Sequence, residues 1–251
     1  MGLNLHKKEI ALLVRNPGTI RYLGNTRKAI QEMVCMEVAR ARRIWNLKAS
    51  KGTCLQQVIA LADVSWAIQQ SILYHICRYS KPEIVVETGV NYGVSSAMIL
   101  QALSDNSRGR LYSIDLPRVS YKAPFRTNYR DVSLPNNAEI GFVVPPELRE
   151  RWTLTLGDSR VELPKLFHKV GPVGFFYHDS MHTREHMLFE YQTAYPRINP
   201  GGVIGSDDTT WNKAFDEFCD SKGLRPIRCF GKGFAVVPRQ TRSVNTNQCV
   251  D

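Results

Sequence analysis

The chain has 251 residues, of which 43% are hydrophobic and 22% charged, the composition of a globular protein with one sizeable core. No apolar run is long enough to span a membrane, and the six scattered cysteines form no C-x-x-C pair, so we expect a cytoplasmic protein without a disulfide framework or a cysteine zinc site. The net charge is +10, but the basic residues are dispersed without interleaved aromatic residues, which favours a solvated basic surface over a nucleic-acid interface.

Residues 1–80 are predicted to form a helical extension. In "TRKAIQEMVCMEVARARRIWNLK" and in "LQQVIALADVSWAIQQSILYHICRYS", apolar residues recur at spacings of three and four, as they do in amphipathic helices. Neither segment carries an obvious set of reactive side chains. We therefore interpret this extension as a cap or as a homo-oligomer surface.

Residues 81–240 alternate between short β-branched runs and helical patterns. The strand candidates are EIVVET, GRLYSIDL, WTLTLGD, VGFFYHD, GGVIGSDD, RPIRCF and GFAVVP. Strands that alternate with helices indicate βαβ units, and the glycines around Lys232 predict a closing antiparallel hairpin. The predicted fold class is α/β: a Rossmann-like, doubly wound, mostly parallel sheet of seven strands with an antiparallel last strand, plus the N-terminal helical extension.

Two segments interrupt this alternation. Residues 118–149 are long, proline-bearing and aromatic, and an insertion of this kind after the second strand predicts a lid over a ligand. Its aromatic residues, Tyr121, Phe125 and Tyr129, would suit a flat or apolar ligand, although they can equally pack the lid itself. Residues 241–251 are polar and aperiodic, which predicts a flexible tail.

A cofactor site is predicted where the first strand meets its helix. "EIVVETGVNYGVSS" runs from a strand into Gly89 and Gly93, where a missing Cβ permits a tight turn and close approach of a ligand. The turn resembles the dinucleotide-binding fingerprint, but Asn91 stands where a second early glycine is expected. Asp115 ends the second strand, where an acid can accept hydrogen bonds from both ribose hydroxyls, and "GDS" ends the third, near an adenine. A nicotinamide enzyme and plain turn residues of another α/β protein are the alternatives.

The stretch "HDSMHTREHM" contains H-x-x-E-H, the signature of inverted zinc proteases. A zinc site of that kind needs both histidines on one helix, facing one metal. Thr183 is a suitable N-cap and Glu185 suits a first turn, so we predict that the helix begins between His182 and His186. With no convincing third ligand downstream, the sequence argues against a zinc protease.

The same region contains acids that the predicted sheet brings together. Asp179 ends the fourth strand, and Asp207 and Asp208 end the fifth, so their carboxylates should converge at one edge of the sheet. Such a cluster repels itself unless a cation neutralises it, and carboxylate oxygens suit Mg²⁺. We therefore predict a divalent metal at these three residues, with Asp179 and His182 as catalytic residues and His182 as the general base. The alternatives are acids that cap helices or bind a cofactor amine, and a helix-capping histidine.

In this order, the motifs resemble the class I S-adenosylmethionine-dependent methyltransferases, over roughly Pro82 to Pro238. The acid before the glycine turn, the acid after the second strand, the "GD" after the third and the closing hairpin all follow that pattern. The resemblance implies S-adenosylmethionine as the cofactor. The cofactor-binding residues that it implies are Glu87, Gly89, Asn91, Gly93, Ser95, Asp115, Asp158 and Ser159.

Within that family, the D-x-x-H stretch from Asp179 to His182 and the acidic pair after the fifth strand resemble one branch. It comprises metal-dependent sugar and catechol O-methyltransferases, macrocin-type enzymes and cephalosporin-hydroxylase-like proteins. This resemblance implies O-methylation of a small-molecule hydroxyl, on a sugar or another natural product, with Mg²⁺ assistance. An RNA methyltransferase, prompted by the net charge, and a cofactor-binding protein without methyl transfer stay open as alternatives.

Overall fold

The computed structural model describes residues 64–117, 139–229 and 231–239. The first amphipathic segment, most of the predicted lid and the predicted tail lie outside the described residues. The helices are α1 (Val64–Ser80), α2 (Val94–Asp105), α3 (Ser159–Lys169), α4 (Arg184–Ala194) and α5 (Ala214–Ser221). The strands are β1 (Ile84–Thr88), β2 (Arg110–Asp115), β3 (Trp152–Leu156), β4 (Val173–His178), β5 (Ile198–Ser206), β6 (Ile227–Cys229) and β7 (Lys232–Val236).

The strands form one sheet of seven in the order β3-β2-β1-β4-β5-β7-β6. The pairs from β3 through β5 are parallel, whereas β7 runs antiparallel to both β5 and β6. This confirms the predicted Rossmann-like fold and its closing hairpin. The order reverses between β1 and β4, and in open α/β sheets ligands bind at the carboxyl ends of the strands beside such a reversal.

Helices cover both faces of the sheet because successive strand residues point to opposite sides. On one face, buried Val86 and Phe176 pack with residues of α3, α4 and α5, including Leu163, Tyr191 and Phe215. On the other face, Val85 and Phe175 pack with apolar residues of α1 and α2. None of the helices in the described segments is long and apolar enough to cross a membrane.

Helix α1 belongs to the core of the domain. Leu73, Tyr74 and Cys77 are buried in the same cluster as the strand residue Val85, and the Tyr74 hydroxyl donates to Asp105 Oδ2 at 2.7 Å. We predicted this helix as the last part of an N-terminal helical extension or cap ending at residue 80. Its apolar face covers the sheet, because that face of β1 and β4 is as apolar as the opposite one.

Candidate functional site

The turn after β1 places two glycines in the left-handed region. The φ angles of Gly89 and Gly93 are +83° and +91°, and that of Asn91 is +47°. A Cβ on Gly89 would lie 2.0 Å from the carbonyl oxygen of Asp179, and one on Gly93 would lie 2.7 Å from Cα of Gly141. These glycines therefore allow the ends of neighbouring segments to pack against the turn, in addition to any approach of a ligand.

Asp115 holds the backbone of this turn. Its Oδ2 accepts hydrogen bonds from the N–H groups of Val90 (2.9 Å) and Asn91 (2.7 Å), and its Oδ1 accepts one from Leu116 (2.7 Å). Burial raises the pKa of Asp115, while these backbone donors oppose the rise. A carboxylate offers about four acceptor positions, so three backbone donors leave about one for a ligand hydroxyl.

Glu87 lies behind the turn, inside the protein. Its side chain is fully buried and accepts hydrogen bonds from the hydroxyls of Ser95 (2.6 Å), Ser96 (2.6 Å) and Ser113 (2.7 Å). Burial raises the pKa of Glu87, and the three hydroxyls counteract part of that rise. Glu87 and Ser95, which the family resemblance assigned to the cofactor, join the first turn of α2 to β1 and β2.

Asp158 and Ser159 begin α3 at the carboxyl end of β3. Asp158 caps the helix by accepting from the Arg160 N–H at 2.8 Å, and its ion pair with the Arg160 side chain lowers the pKa of Asp158. The Ser159 hydroxyl is buried, 2.9 Å from His186 Nε2. Leu156, just before them, is 52% exposed, so this strand end presents an apolar surface.

The strand ends of β1, β4 and β5 bring the predicted acids together. The Asp179 N–H donates to the Thr88 carbonyl at 2.7 Å, and the Asp207 N–H donates to the His178 carbonyl at 2.8 Å. Asp208 follows with φ of +46° and its N–H bonded to Asp207 Oδ1 at 2.9 Å. The acids therefore continue the ladder of adjacent parallel strands, which is why they converge.

Lys232, which the sequence analysis did not assign to the site, lies within this acidic cluster. Its Nζ is 2.5 Å from Asp207 Oδ2 and 5.8 Å from the centroid of the Tyr177 ring, and its side chain is only 2% exposed. β7 starts beside the carboxyl end of β5, because the two strands are antiparallel and Ser206 pairs with Gly233. The sequence contains a signal for the burial of Lys232, because Lys232 lies two residues before the apolar Phe234 and therefore on the same face of the strand.

The carboxylates of the cluster have different protonation tendencies. For Asp207, the charge and hydrogen bond of Lys232 outweigh burial and lower its pKa. Burial and the charge of Asp207 raise the pKa of Asp179 well above its ordinary value, and they raise that of Asp208 to about 6. The negative charge of the cluster is thus balanced by Lys232 and reduced by the tendency of Asp179 and Asp208 to take up protons.

The magnesium site predicted at Asp179, Asp207 and Asp208 does not fit this arrangement. Lys232 Nζ already occupies Asp207 Oδ2, which places a positive charge where the ion would have to bind. In the described part of the chain, no group of three or more His, Cys, Asp or Glu side chains is arranged to hold a metal ion.

His182 faces the cluster with an available nitrogen. Its Nε2 is buried without a hydrogen-bond partner in the structure, 3.7 Å from Asp179 Oδ1 and 4.0 Å from Asp208 Oδ2. Burial and the neighbouring His178 lower the pKa of His182 to about 3, so the imidazole is neutral at physiological pH. The ring centroid of Trp211 lies 5.0 Å from that of His182.

The two histidines of H-x-x-E-H face different partners. Helix α4 begins at Arg184, with Thr183 as its N-cap, so His182 precedes the helix as predicted. His186 Nε2 instead lies 2.9 Å from Glu190 Oε1, inside the core. Glu190 was not among the predicted site residues, although it lies four residues after His186 on the same helix.

Glu190 joins several polar groups in the core. Its carboxylate accepts from the hydroxyls of Thr88 (2.5 Å) and Ser180 (2.8 Å), and it lies 2.6 Å from His178 Nδ1 and 2.9 Å from His186 Nε2. Burial alone would raise the pKa of Glu190, but the two histidines outweigh it and hold that pKa well below its ordinary value. This network fixes the end of β4, from which the acidic cluster extends.

Comparisons with known proteins agree with this description. Residues 86–209 match a family model described as a methyltransferase domain. No curated protein matches the chain significantly.

Three solved structures share the fold at low sequence identity. A Podospora anserina methyltransferase, PaMTH1, bound to S-adenosylhomocysteine, has a TM-score of 0.51 at 13% identity, over 78% of this chain and 86% of that one. A Bacillus cereus O-methyltransferase, also with S-adenosylhomocysteine, has a TM-score of 0.50 at 14% identity, over 93% and 97%. The calicheamicin methyltransferase CalS11 has a TM-score of 0.51 at 14% identity, over 80% and 92%.

The family match over residues 86–209, together with the strand order and the glycine turn at the reversal of the sheet, identifies a class I S-adenosylmethionine-dependent methyltransferase domain in this chain.

Proposed function

We propose that this enzyme transfers the methyl group of S-adenosylmethionine to a hydroxyl of a small molecule, such as a sugar or another natural product. The observation that carries the proposal is the buried, unpartnered Nε2 of His182 at the carboxyl ends of the strands. Support also comes from two structural relatives, which are named as an O-methyltransferase and a calicheamicin methyltransferase.

In this proposal the cofactor lies across the turn from Gly89 to Gly93, with Asn91 at its middle. Asp115 uses its remaining acceptor position for a ribose hydroxyl, and the adenine lies against Leu156 near Asp158. Glu87, Ser95 and Ser159 act from behind, because their polar atoms are bound to other side chains in the core. Their role is to hold the backbone that contacts the cofactor.

The proposed reaction is an in-line displacement. The acceptor hydroxyl gives its proton to His182 Nε2 while its oxygen attacks the sulfonium methyl group, and S-adenosylhomocysteine leaves with the electron pair of the broken S–C bond. The imidazolium that forms is stabilised by the Asp208 carboxylate, 4.0 Å from Nε2. Asp179, 3.7 Å from the same nitrogen, positions the ring.

The surface around His182 favours a small acceptor over RNA. Met181 precedes His182 in the chain and the Trp211 ring lies 5.0 Å from the His182 ring; they are 41% and 47% exposed, which suits the apolar body of a natural product or the face of a sugar. Asp208, whose pKa is about 6, adds negative charge at the same place at neutral pH, and RNA phosphates would be repelled there.

Calorimetry with S-adenosylhomocysteine tests the cofactor part of the proposal. We expect saturable binding of one equivalent to the full chain. A second step would mix the enzyme with S-adenosylmethionine and a panel of phenols, sugars and short RNAs, and would measure release of S-adenosylhomocysteine. Turnover on RNA alone, weakening steeply with salt, would replace the small-molecule proposal. Binding without any turnover on the panel would favour the cofactor-binding alternative, and no binding would contradict both.

Replacing Asp115 by alanine should weaken S-adenosylhomocysteine binding about 10- to 100-fold, because charge-assisted hydrogen bonds contribute roughly 1.5–3 kcal/mol each. Two effects combine: the ribose loses its acceptor, and the N–H groups of Val90 and Asn91 lose the group that orients the turn. Calorimetry measures the change. The matched control is Asp220→Ala at the exposed end of α5, which should bind as the wild type does. Unchanged binding by Asp115→Ala would contradict the proposed placement of the cofactor.

A further inference from the structure

We propose that Lys232 takes the place of a divalent cation in the acidic cluster, so that the enzyme transfers methyl groups without a metal ion. This inference deepens the proposed function and depends on it for the catalytic part. The cluster consists of Asp179, Asp207 and Asp208. Lys232 supplies the positive charge that a metal ion would otherwise supply to these acids. The geometry of Lys232 carries the argument.

The lysine is built into the fold and does not reach in from the surface. It occupies the first position of β7, is 1% exposed as a residue, and shares its strand face with buried Phe234. A flexible surface lysine could swing away to admit an ion, but this side chain is enclosed by the sheet and by the Tyr177 ring. Burying a lysine is costly unless it is paired, and Asp207 Oδ2 at 2.5 Å is its partner.

The pairing also changes what the neighbouring acids can bind. Asp207 has one carboxylate oxygen on Lys232 Nζ and the other on the Asp208 N–H, so neither oxygen is left without a partner. The remaining acids, Asp179 and Asp208, face His182 at 3.7 and 4.0 Å. A hard divalent ion takes six or more oxygen ligands. Two acids can supply only part of that coordination shell, and the fixed positive charge beside them repels the ion.

The consequence for catalysis is indirect. Lys232 Nζ is paired with Asp207 and lies beside the Tyr177 ring, so Lys232 is a positioning residue that acts through Asp207. By neutralising Asp207, it keeps the cluster from collecting excess negative charge next to the developing oxygen nucleophile. Proton removal is then the task of His182, whose Nε2 faces Asp179 and Asp208 at 3.7 and 4.0 Å.

Titration with Mn²⁺, followed by electron paramagnetic resonance without cofactor or acceptor, tests this inference independently of methyl transfer. We expect the wild type to bind no Mn²⁺ at micromolar concentrations. Lys232→Met, which keeps the stem and removes the charge, frees Asp207 and should bind Mn²⁺ at least about tenfold more tightly than the wild type. The double variant Lys232→Met/Asp207→Asn should lose that gain, and Lys165→Met, an exposed lysine on α3, should behave as the wild type.

Turnover in the presence of a chelator gives the second readout. Wild-type release of S-adenosylhomocysteine should be the same in EDTA as in Mg²⁺, to within about twofold. Stoichiometric Mn²⁺ binding by the wild type, abolished in Asp207→Asn, would overturn the inference, as would activity that EDTA removes and Mg²⁺ restores. If Lys232→Met does not fold, the wild-type titration and the chelator comparison decide the question by themselves. A complete lack of turnover would count against the proposed function, whereas the Mn²⁺ result would still stand.

Discussion

Replacing Glu190 by alanine is expected to lower the free energy of unfolding by about 3–5 kcal/mol, the usual cost of removing one partner from a buried charged network. The substitution would leave the ring nitrogens of His178 and His186 and the hydroxyls of Thr88 and Ser180 without their shared acceptor. Urea unfolding measures the loss. Glu185→Ala, on the exposed face of the same helix, is the matched control and should change stability by less than about 0.5 kcal/mol.

The pH dependence of stability adds a second signature for Glu190. Its folded-state pKa lies well below the ordinary value because of His178 and His186, so the stabilisation is fully present above the unfolded pKa of about 4.3. That contribution is lost as the pH falls through the lower folded-state value. The wild type should therefore lose stability in acid more steeply than Glu190→Gln. Parallel acid profiles for the two proteins would show that the carboxylate is not the charged centre of this network.

Replacing His182 by alanine is expected to reduce turnover about 10²- to 10⁴-fold, the usual contribution of a general base. Binding of S-adenosylhomocysteine should stay within about twofold of the wild type, because the proposed position of the cofactor is the turn after β1, whereas His182 follows β4. The assay is initial-rate release of S-adenosylhomocysteine with the acceptor that the panel identifies. His168→Ala, at the exposed end of α3, is the control. If His182→Ala turns over as fast as the wild type, His182 is not the general base.

The pH profile of turnover should also reflect the neighbour of His182. Burial and the charge of Asp207 raise the pKa of Asp208 to about 6, so Asp208 is ionised at neutral pH and takes up a proton as the pH falls. The protonated acid no longer stabilises an imidazolium on His182, and the rate should decline below about pH 6. Asp208→Asn should lower the rate at neutral pH and flatten this part of the profile. A wild-type rate that stays constant from about pH 7 to about pH 5 would contradict this role.

The local sequence pattern was sufficient to predict the helices and strands of the domain and their order along the chain. Each strand candidate became a strand, because β-branched and aromatic runs bounded by glycine, proline and acids fit a buried sheet between helices. The start of α4 was also predictable from Thr183, and that start separates the histidines of the apparent zinc motif. Capping is a local interaction, so the sequence carries it directly.

Other features depended on contacts between residues far apart in the chain. Glu87 looked like a cofactor ligand because of its place before the glycine turn, yet Ser113 and the serines of α2 enclose it. The periodicity of α1 predicted an amphipathic helix, but not that its apolar face covers one face of the sheet. Burial of one element by another is a tertiary property that periodicity alone does not specify.

The acidic cluster shows most clearly which features follow from the sequence and which depend on the tertiary structure. The sequence by itself determined that Asp179, Asp207 and Asp208 meet, because parallel strands end at a common edge and each acid directly follows such a strand. Only the tertiary structure decided what balances their charge, since Lys232 comes from an antiparallel strand 25 residues beyond Asp207 and reaches it through sheet pairing. Lys232 reaches Asp207 only because of the register between β5 and β7, and the residues around the acids do not specify that register.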